Sequence, residues 1–135
     1  MELNIRGLTE EDWPIIKDWW SYHFDSSPEK ESFPDNGLSG VIAEKKGIPV
    51  SACFIYTTNS DIAFLEWILS NPKYNEKDRS NIIDSMLIAA ENIIRLQGFK
   101  YIFGFTTKQR LAERLERLGH TITNTSSFEL IKSLN

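Results

Sequence analysis

The chain has 135 residues, 41% of them hydrophobic and 25% charged, with a formal net charge of -4. That length suits one domain spanning residues 1–135, the composition is ordinary for a globular protein, and the acidic balance lacks the basic stripe that nucleic acid would require. The opening "MELNIRGLTEEDW" has neither a basic start nor an apolar signal core, and no apolar run approaches the ~18 residues of a membrane span, so a cytoplasmic protein without a membrane partner is expected.

Asn4 to Leu8 reads as a short strand, and Thr9 as a helix cap with Asp12 three residues on. Trp13, Ile16, Trp20 and Phe24 then recur at helical spacing, while Asp12 and Lys17 fall off that stripe, which makes the first helix amphipathic. Pro14 is tolerated there only in the first turn. The segment from Asp25 to Gly37 is rich in turn-forming and polar residues and reads as a loop or short helix. Three strand-like runs follow, "LSGVIAE", "IPVSACFIYT" and "IAFLEWIL", joined by "KKG" and "NSD". Such short links imply an antiparallel meander. Cys53 lies within the second run, where a buried structural thiol is expected; with His23 and His120 as the only histidines and no CxxC pair, no metal centre is predicted.

From Ile82 the period changes: Ile82, Ile83, Met86, Leu87, Ala90, Ile93 and Ile94 share one helical face, and Gly98 is placed to end that helix in the left-handed conformation. "KYIFGFT" is nearly continuous apolar, as in a central strand covered on both faces. A last helix, "KQRLAERLERLG", carries Leu111, Leu115 and Leu118 inward, and two strand candidates follow, around Thr121 to Thr123 and Phe128 to Lys132.

This order of elements resembles the GNAT superfamily of acyl-CoA-dependent N-acetyltransferases over nearly the whole chain. The pieces that carry the resemblance are "NIRGLTEEDWPIIKDWW", the meander ending in "LEWILSNPKY", the long helix closing on "LQGFKYI", and "RLAERLERLGH". It implies an α/β (α+β) fold with a mixed, mostly antiparallel central sheet flanked by helices. It also implies acetyl-CoA as cofactor, with acetyl transfer to an amine of a small molecule or a protein by direct attack in a ternary complex.

Carried onto this sequence, the resemblance gives the backbone of Ile68, Leu69 and Ser70 to the acyl group, and Lys77, Arg79, Ser80 and Asn81 to the pyrophosphate. Glu66, a carboxylate in the otherwise apolar row Ile62, Phe64, Glu66 and Ile68, is the candidate base. Tyr22 and His23, after the tryptophan pair, are the acceptor-side candidates. The family's phosphate loop has the form Arg/Gln-x-x-Gly-x-Gly/Ala, whereas no glycine occurs between Gly47 and Gly98 here. With "RSNIID" set over the motif, Ile82 is expected to narrow the phosphate's approach and Asp84 to repel it. The family's helical tyrosine acid falls near Leu115, which cannot donate a proton, and neither Tyr74 nor His120 is selected in its place. The missing glycines and tyrosine keep a second reading open, a non-catalytic GNAT-like protein that binds a partner or ligand, and a homodimer is among the states open to either.

Overall fold

In the computed structural model, which describes residues 2–24 and 28–134, β1 (Leu3–Gly7) leads through a 3-10 turn at Glu10–Asp12 into α1 (Trp13–His23). The junction is pinned electrostatically. Arg6 donates through Nη1 and Nη2 to the two Asp12 carboxylate oxygens at 2.8 and 2.9 Å, and the Thr9 amide donates to the same carboxylate at 2.8 Å. Burial alone would raise the Asp12 carboxyl, but the hydrogen bonds from Arg6 and Thr9 outweigh it and hold it below the usual carboxylate range. Thr9 and Asp12 together form the capping box that opens the turn. Trp19 is buried beside Ile16 and Trp20, although it lies off the predicted stripe. Of the segment expected as a loop, residues 25–27 lie outside the described residues; Lys30–Ser32 and Pro34–Gly37 form 3-10 turns.

The meander forms as expected, with β2 (Gly40–Lys45), β3 (Ile48–Tyr56) and β4 (Ile62–Ser70) antiparallel. Gly40 is obligatory where β2 meets β3, since a Cβ there would sit 2.1 Å from the Cys53 carbonyl oxygen. α2 (Arg79–Leu96) then crosses over to β5 (Tyr101–Phe103), which pairs in parallel with β4, giving the strand order β1-β2-β3-β4-β5. The sheet is thus mixed and mostly antiparallel. Gly98, at φ +93°, follows the end of α2 in the predicted conformation.

Each face of the sheet has its own core. On one, Ile42, Ala52, Phe54 and Leu69 pack with Ile16, Trp19, Trp20 and Phe33. On the other lies α2, which buries Ile82, Ile83, Met86, Leu87, Ala90 and Ile94; Ser51 donates to the Met86 sulfur at 3.2 Å. Cys53 is fully buried, and burial pushes its thiol up to about 12, so it is a packing residue rather than a nucleophile. Among the described residues no helix is long and apolar enough to cross a membrane.

Two expectations need correction. β5 is not a central strand covered on both faces: it is the last strand of the sheet, with Tyr101 60% and Phe103 49% exposed. The strands expected around Thr121 to Thr123 and Phe128 to Lys132 do not form either. A β-prone segment gains little until a partner strand takes up its backbone groups, and none of the described residues does so. Contacts divide the chain into two units, Met1–Phe105 and Thr106–Asn135, each described by itself. The second contains α3 (Gln109–Arg117), in which Leu111 and Leu115 are half-buried. The Leu115 carbonyl accepts the His120 amide at 2.9 Å beyond its end.

Candidate functional site

The feature that organises the site is a break in β4. Phe54 pairs with Glu66 and Ala52 with Leu69, so two β4 residues, Trp67 and Ile68, stand opposite the single residue Cys53. This is a β-bulge, which bends the strand and takes backbone groups out of the ladder. Trp67 adopts φ +53°, a strained conformation for a bulky residue. Its surroundings hold it there: the ring lies 5.0 Å from Trp20 and 5.6 Å from Phe24, and Nε1 donates to the Tyr56 hydroxyl at 2.9 Å. The bulge also ends the expected alternation, because Leu69 rather than Ile68 takes the next place on the face that bears Phe64 and Glu66.

Pairing between the parallel strands stops at Phe64 and Phe103, while β4 runs on to Ser70. β5 ends there, and the chain just beyond it stays close to β4, a Cβ at Gly104 lying 3.2 Å from the Leu65 carbonyl oxygen. Glu66 stands just past the paired residues, half-buried, and its Oε1 accepts the Phe105 amide at 2.8 Å, which fixes the carboxylate against the chain beyond β5. The aromatic rings beside it come from both strands. Phe64 lies 6.0 Å from Phe103 and stacks at 6.3 Å with Phe105. Tyr56, opposite Phe64 on β3, shares this face. Burial raises the Tyr56 phenol above its ordinary value, against the lowering effect of the Trp67 indole, so its hydroxyl stays protonated at neutral pH.

Beyond the end of β4 lies the N-terminus of α2. Asp78, at its N-cap, makes no side-chain capping bond, and the helix end carries a partial positive charge. Asp78 could have cancelled that charge, but its carboxylate is engaged by the Lys45 ammonium and by the Tyr74 hydroxyl, the latter at 2.8 Å. Those bonds hold Asp78 below the usual carboxylate range. Arg79 reaches back from the helix to β4, its Nη2 donating to Ser70 Oγ at 2.6 Å. Its Nε is buried without a hydrogen-bond partner. A buried donor left unpaired is costly, and an anion at the helix end would be a suitable partner.

The sequence-derived candidates are distributed as follows. Ser70 is shared by two of them, since its hydroxyl accepts from Arg79 and its carbonyl accepts from His23 Nε2 at 3.0 Å. His23 must therefore carry its proton on Nε2. Tyr22, 56% exposed, turns outward. Ile68 is half-buried, and Leu69 is committed to the core, so Leu69 has only its backbone to offer. Lys77, Ser80 and Asn81 are exposed around the start of α2.

The expected effect of Ile82 is corrected by its position: the residue is 3% exposed on the core face of α2 and does not stand in front of the helix end. The roles of Trp67 and Phe105 were not apparent from the sequence. A bulge and the contact of Phe105 with Glu66 arise from the meeting of distant segments, and only the pair of aromatic residues in "FGF" hinted at the second.

No family model matches the sequence, and no curated protein matches it either. Solved structures do. An aminoglycoside acetyltransferase from an uncultured soil metagenomic sample is similar at a TM-score of 0.66 and 16% identity, over 99% of this chain and 97% of that one. An aminoglycoside N-acetyltransferase in complex with CoA gives a TM-score of 0.68 at 16% identity, over 97% and 95% of the two chains. The N-acetylglutamate synthase from Neisseria gonorrhoeae, complexed with coenzyme A and N-acetyl-glutamate, gives 0.69 at 17% identity, over 83% of this chain and 27% of that one. Identities this low bear on architecture and not on activity. With its five-stranded mixed sheet, bulged fourth strand and crossover helix, the chain has the GNAT acetyltransferase fold.

Proposed function

We propose that this protein is an acetyl-CoA-dependent N-acetyltransferase acting on an amine of a small molecule or a protein. The observation that carries this reading is a coincidence in space: the bulge of β4, the end of the β4–β5 pairing and the Glu66 carboxylate occur at one point of the sheet. The phosphate side fits an anion. The N-terminus of α2, the Arg79 guanidinium with its orphaned Nε, Ser80, Asn81 and the exposed Lys77 would hold a pyrophosphate. Acetyl-CoA, when bound, supplies an electrophilic thioester carbonyl.

Glu66 takes a proton from the acceptor ammonium, which leaves the nitrogen lone pair available for attack. A backbone amide of the stretch Ile68 to Ser70 would donate to the thioester carbonyl oxygen as the amine attacks, and the C–S bond would then break with CoA leaving as a thiolate that takes its proton from solvent. His23 and Arg79, both bonded to Ser70, keep the end of β4 in place during these steps. Replacing Glu66 by Gln is expected to lower turnover roughly 10²-fold at neutral pH while leaving acetyl-CoA affinity unchanged, as followed by thiol release and by calorimetry. Equal turnover in the two proteins would remove Glu66 from the mechanism.

A second reading, a ligand-binding protein without acetyl transfer, is favoured by one observation. The Glu66 carboxylate is engaged by the Phe105 amide just beyond β5, as a structural tie would be. Calorimetry separates the readings: a chain that takes up no acetyl-CoA is not an acetyltransferase.

A further inference from the structure

Trp67 takes a backbone conformation that its residue type disfavours. Among the described residues that are not glycine, Asp35, Asn36, Lys46 and Trp67 have positive φ. The first two lie in the 3-10 turn Pro34–Gly37 and Lys46 in the link between β2 and β3, whereas Trp67, at φ +53°, lies inside β4. Glycine would adopt that φ without strain, and a bulky aromatic residue does so only where its surroundings compensate.

The compensation comes from the side chain. The indole Nε1 donates to the Tyr56 hydroxyl on β3 at 2.9 Å, and the ring packs 5.0 Å from Trp20, 5.6 Å from Phe24 and 6.2 Å from Phe33. Beyond the bulge, Leu69 is seated in the core, and Ser70 is bonded by Arg79 and by His23. The bulge is thus fixed on both sides, by the Trp67 ring and by Ser70. An ordinary strand φ of about -140° at Trp67 would turn the chain through roughly 170° about one bond, and the amides that follow would be aimed elsewhere.

We infer that Trp67 is a positioning residue for acyl transfer: its indole, bonded to Tyr56 and seated against Trp20 and Phe24, sets the bulge so that a backbone amide of Ile68 to Ser70 is aimed at the thioester carbonyl. Trp67 acts through the backbone and not on the reacting atoms. A donor fixed in advance meets the developing charge without reorganisation, and strain kept at that point of the strand serves this end. The inference rests on the acetyltransferase reading. CoA lacks the acyl carbonyl that acetyl-CoA carries, so the difference in affinity between the two isolates the contact with the amide.

Calorimetric titration of the parent, Trp67→Phe and Tyr56→Phe with acetyl-CoA and with CoA tests this. Each variant keeps an aromatic ring and loses the bond from indole to hydroxyl. The parent is expected to bind acetyl-CoA roughly 2- to 10-fold tighter than CoA, the worth of one hydrogen bond from amide to carbonyl. Both variants should lose that preference while keeping the parent's Kd for CoA. In the free proteins, hydrogen exchange of the amides of residues 67–70, followed by NMR, should quicken at least about tenfold in the variants relative to residues 50–52 of β3. No acyl preference in the parent, a preference retained in either variant, or an equal loss of affinity for the two ligands would overturn the inference. So would exchange at residues 67–70 that is unchanged or that quickens no more than at 50–52, the mark of a general packing role. If the parent binds neither ligand, the acetyltransferase reading falls instead, and exchange alone decides whether Trp67 holds the bulge.

Discussion

Replacing Arg79 by Met tests the phosphate end of the site, because the structure predicts different consequences for binding and for stability. In the free protein the Arg79 guanidinium donates to Ser70 Oγ at 2.6 Å, while its Nε is buried without a partner. Losing the first costs about 1 kcal/mol, and removing the second relieves about 1–3 kcal/mol of unmet hydrogen bonding. Arg and Met have similar helix propensities, so the unfolding free energy should change by no more than about 1–2 kcal/mol, in either direction. Binding is another matter. A guanidinium hydrogen bond to a phosphate is worth about 1.5–3 kcal/mol, so the Kd for CoA should rise roughly 10- to 150-fold. Calorimetric titration with CoA and with inorganic pyrophosphate, beside urea unfolding of the same samples, measures both quantities. Arg79→Lys should fall between, since it keeps the charge and loses the planar fork. An unchanged Kd combined with a stability loss of several kcal/mol would make Arg79 a strut between α2 and β4, and the anion argument would fail.

Asp12→Asn should destabilise the fold by about 3 kcal/mol at neutral pH, the lower end for breaking a buried ion pair, because Asp12 is 3% exposed while the Arg6 side chain keeps 33% of its exposure. The native Asp12 carboxyl lies below its ordinary value, so its contribution is fully present above the unfolded carboxyl range, about pH 4, and is lost as the pH falls through the depressed native value. Urea midpoints at pH 7 and pH 3 should therefore differ less in Asp12→Asn than in the parent; equal differences would show that other carboxylates carry the acid sensitivity. Ile82→Ala should cost about 2–4 kcal/mol by opening a cavity under α2, with no gain in CoA affinity. A clear gain in calorimetric affinity would mean that the Ile82 side chain does obstruct the helix end despite its burial.

What the sequence determined by itself was whatever depends on neighbours a few residues apart. The stripe through Ile16 and Trp20, the face from Ile82 to Ile94, the short "KKG" and "NSD" links and the glycine after α2 each encode a local period or turn, and the elements formed where these signals lay. Glu66 was noticeable for the same reason, as a charge in an apolar row. Tertiary structure decided the rest. The two-for-one pairing of Trp67 and Ile68 with Cys53, and the contact of Glu66 with the Phe105 amide beyond the end of β5, depend on the register between strands far apart in the chain, which no local period records. Ile82 follows the helical period read from the sequence and is buried with that face, so the expected obstruction of the helix end was at odds with the same stripe. The tail shows the limit from the other side: "TIT" and "FELIK" have strand composition, yet a strand is a property of a pair, and a sequence pattern does not supply the partner.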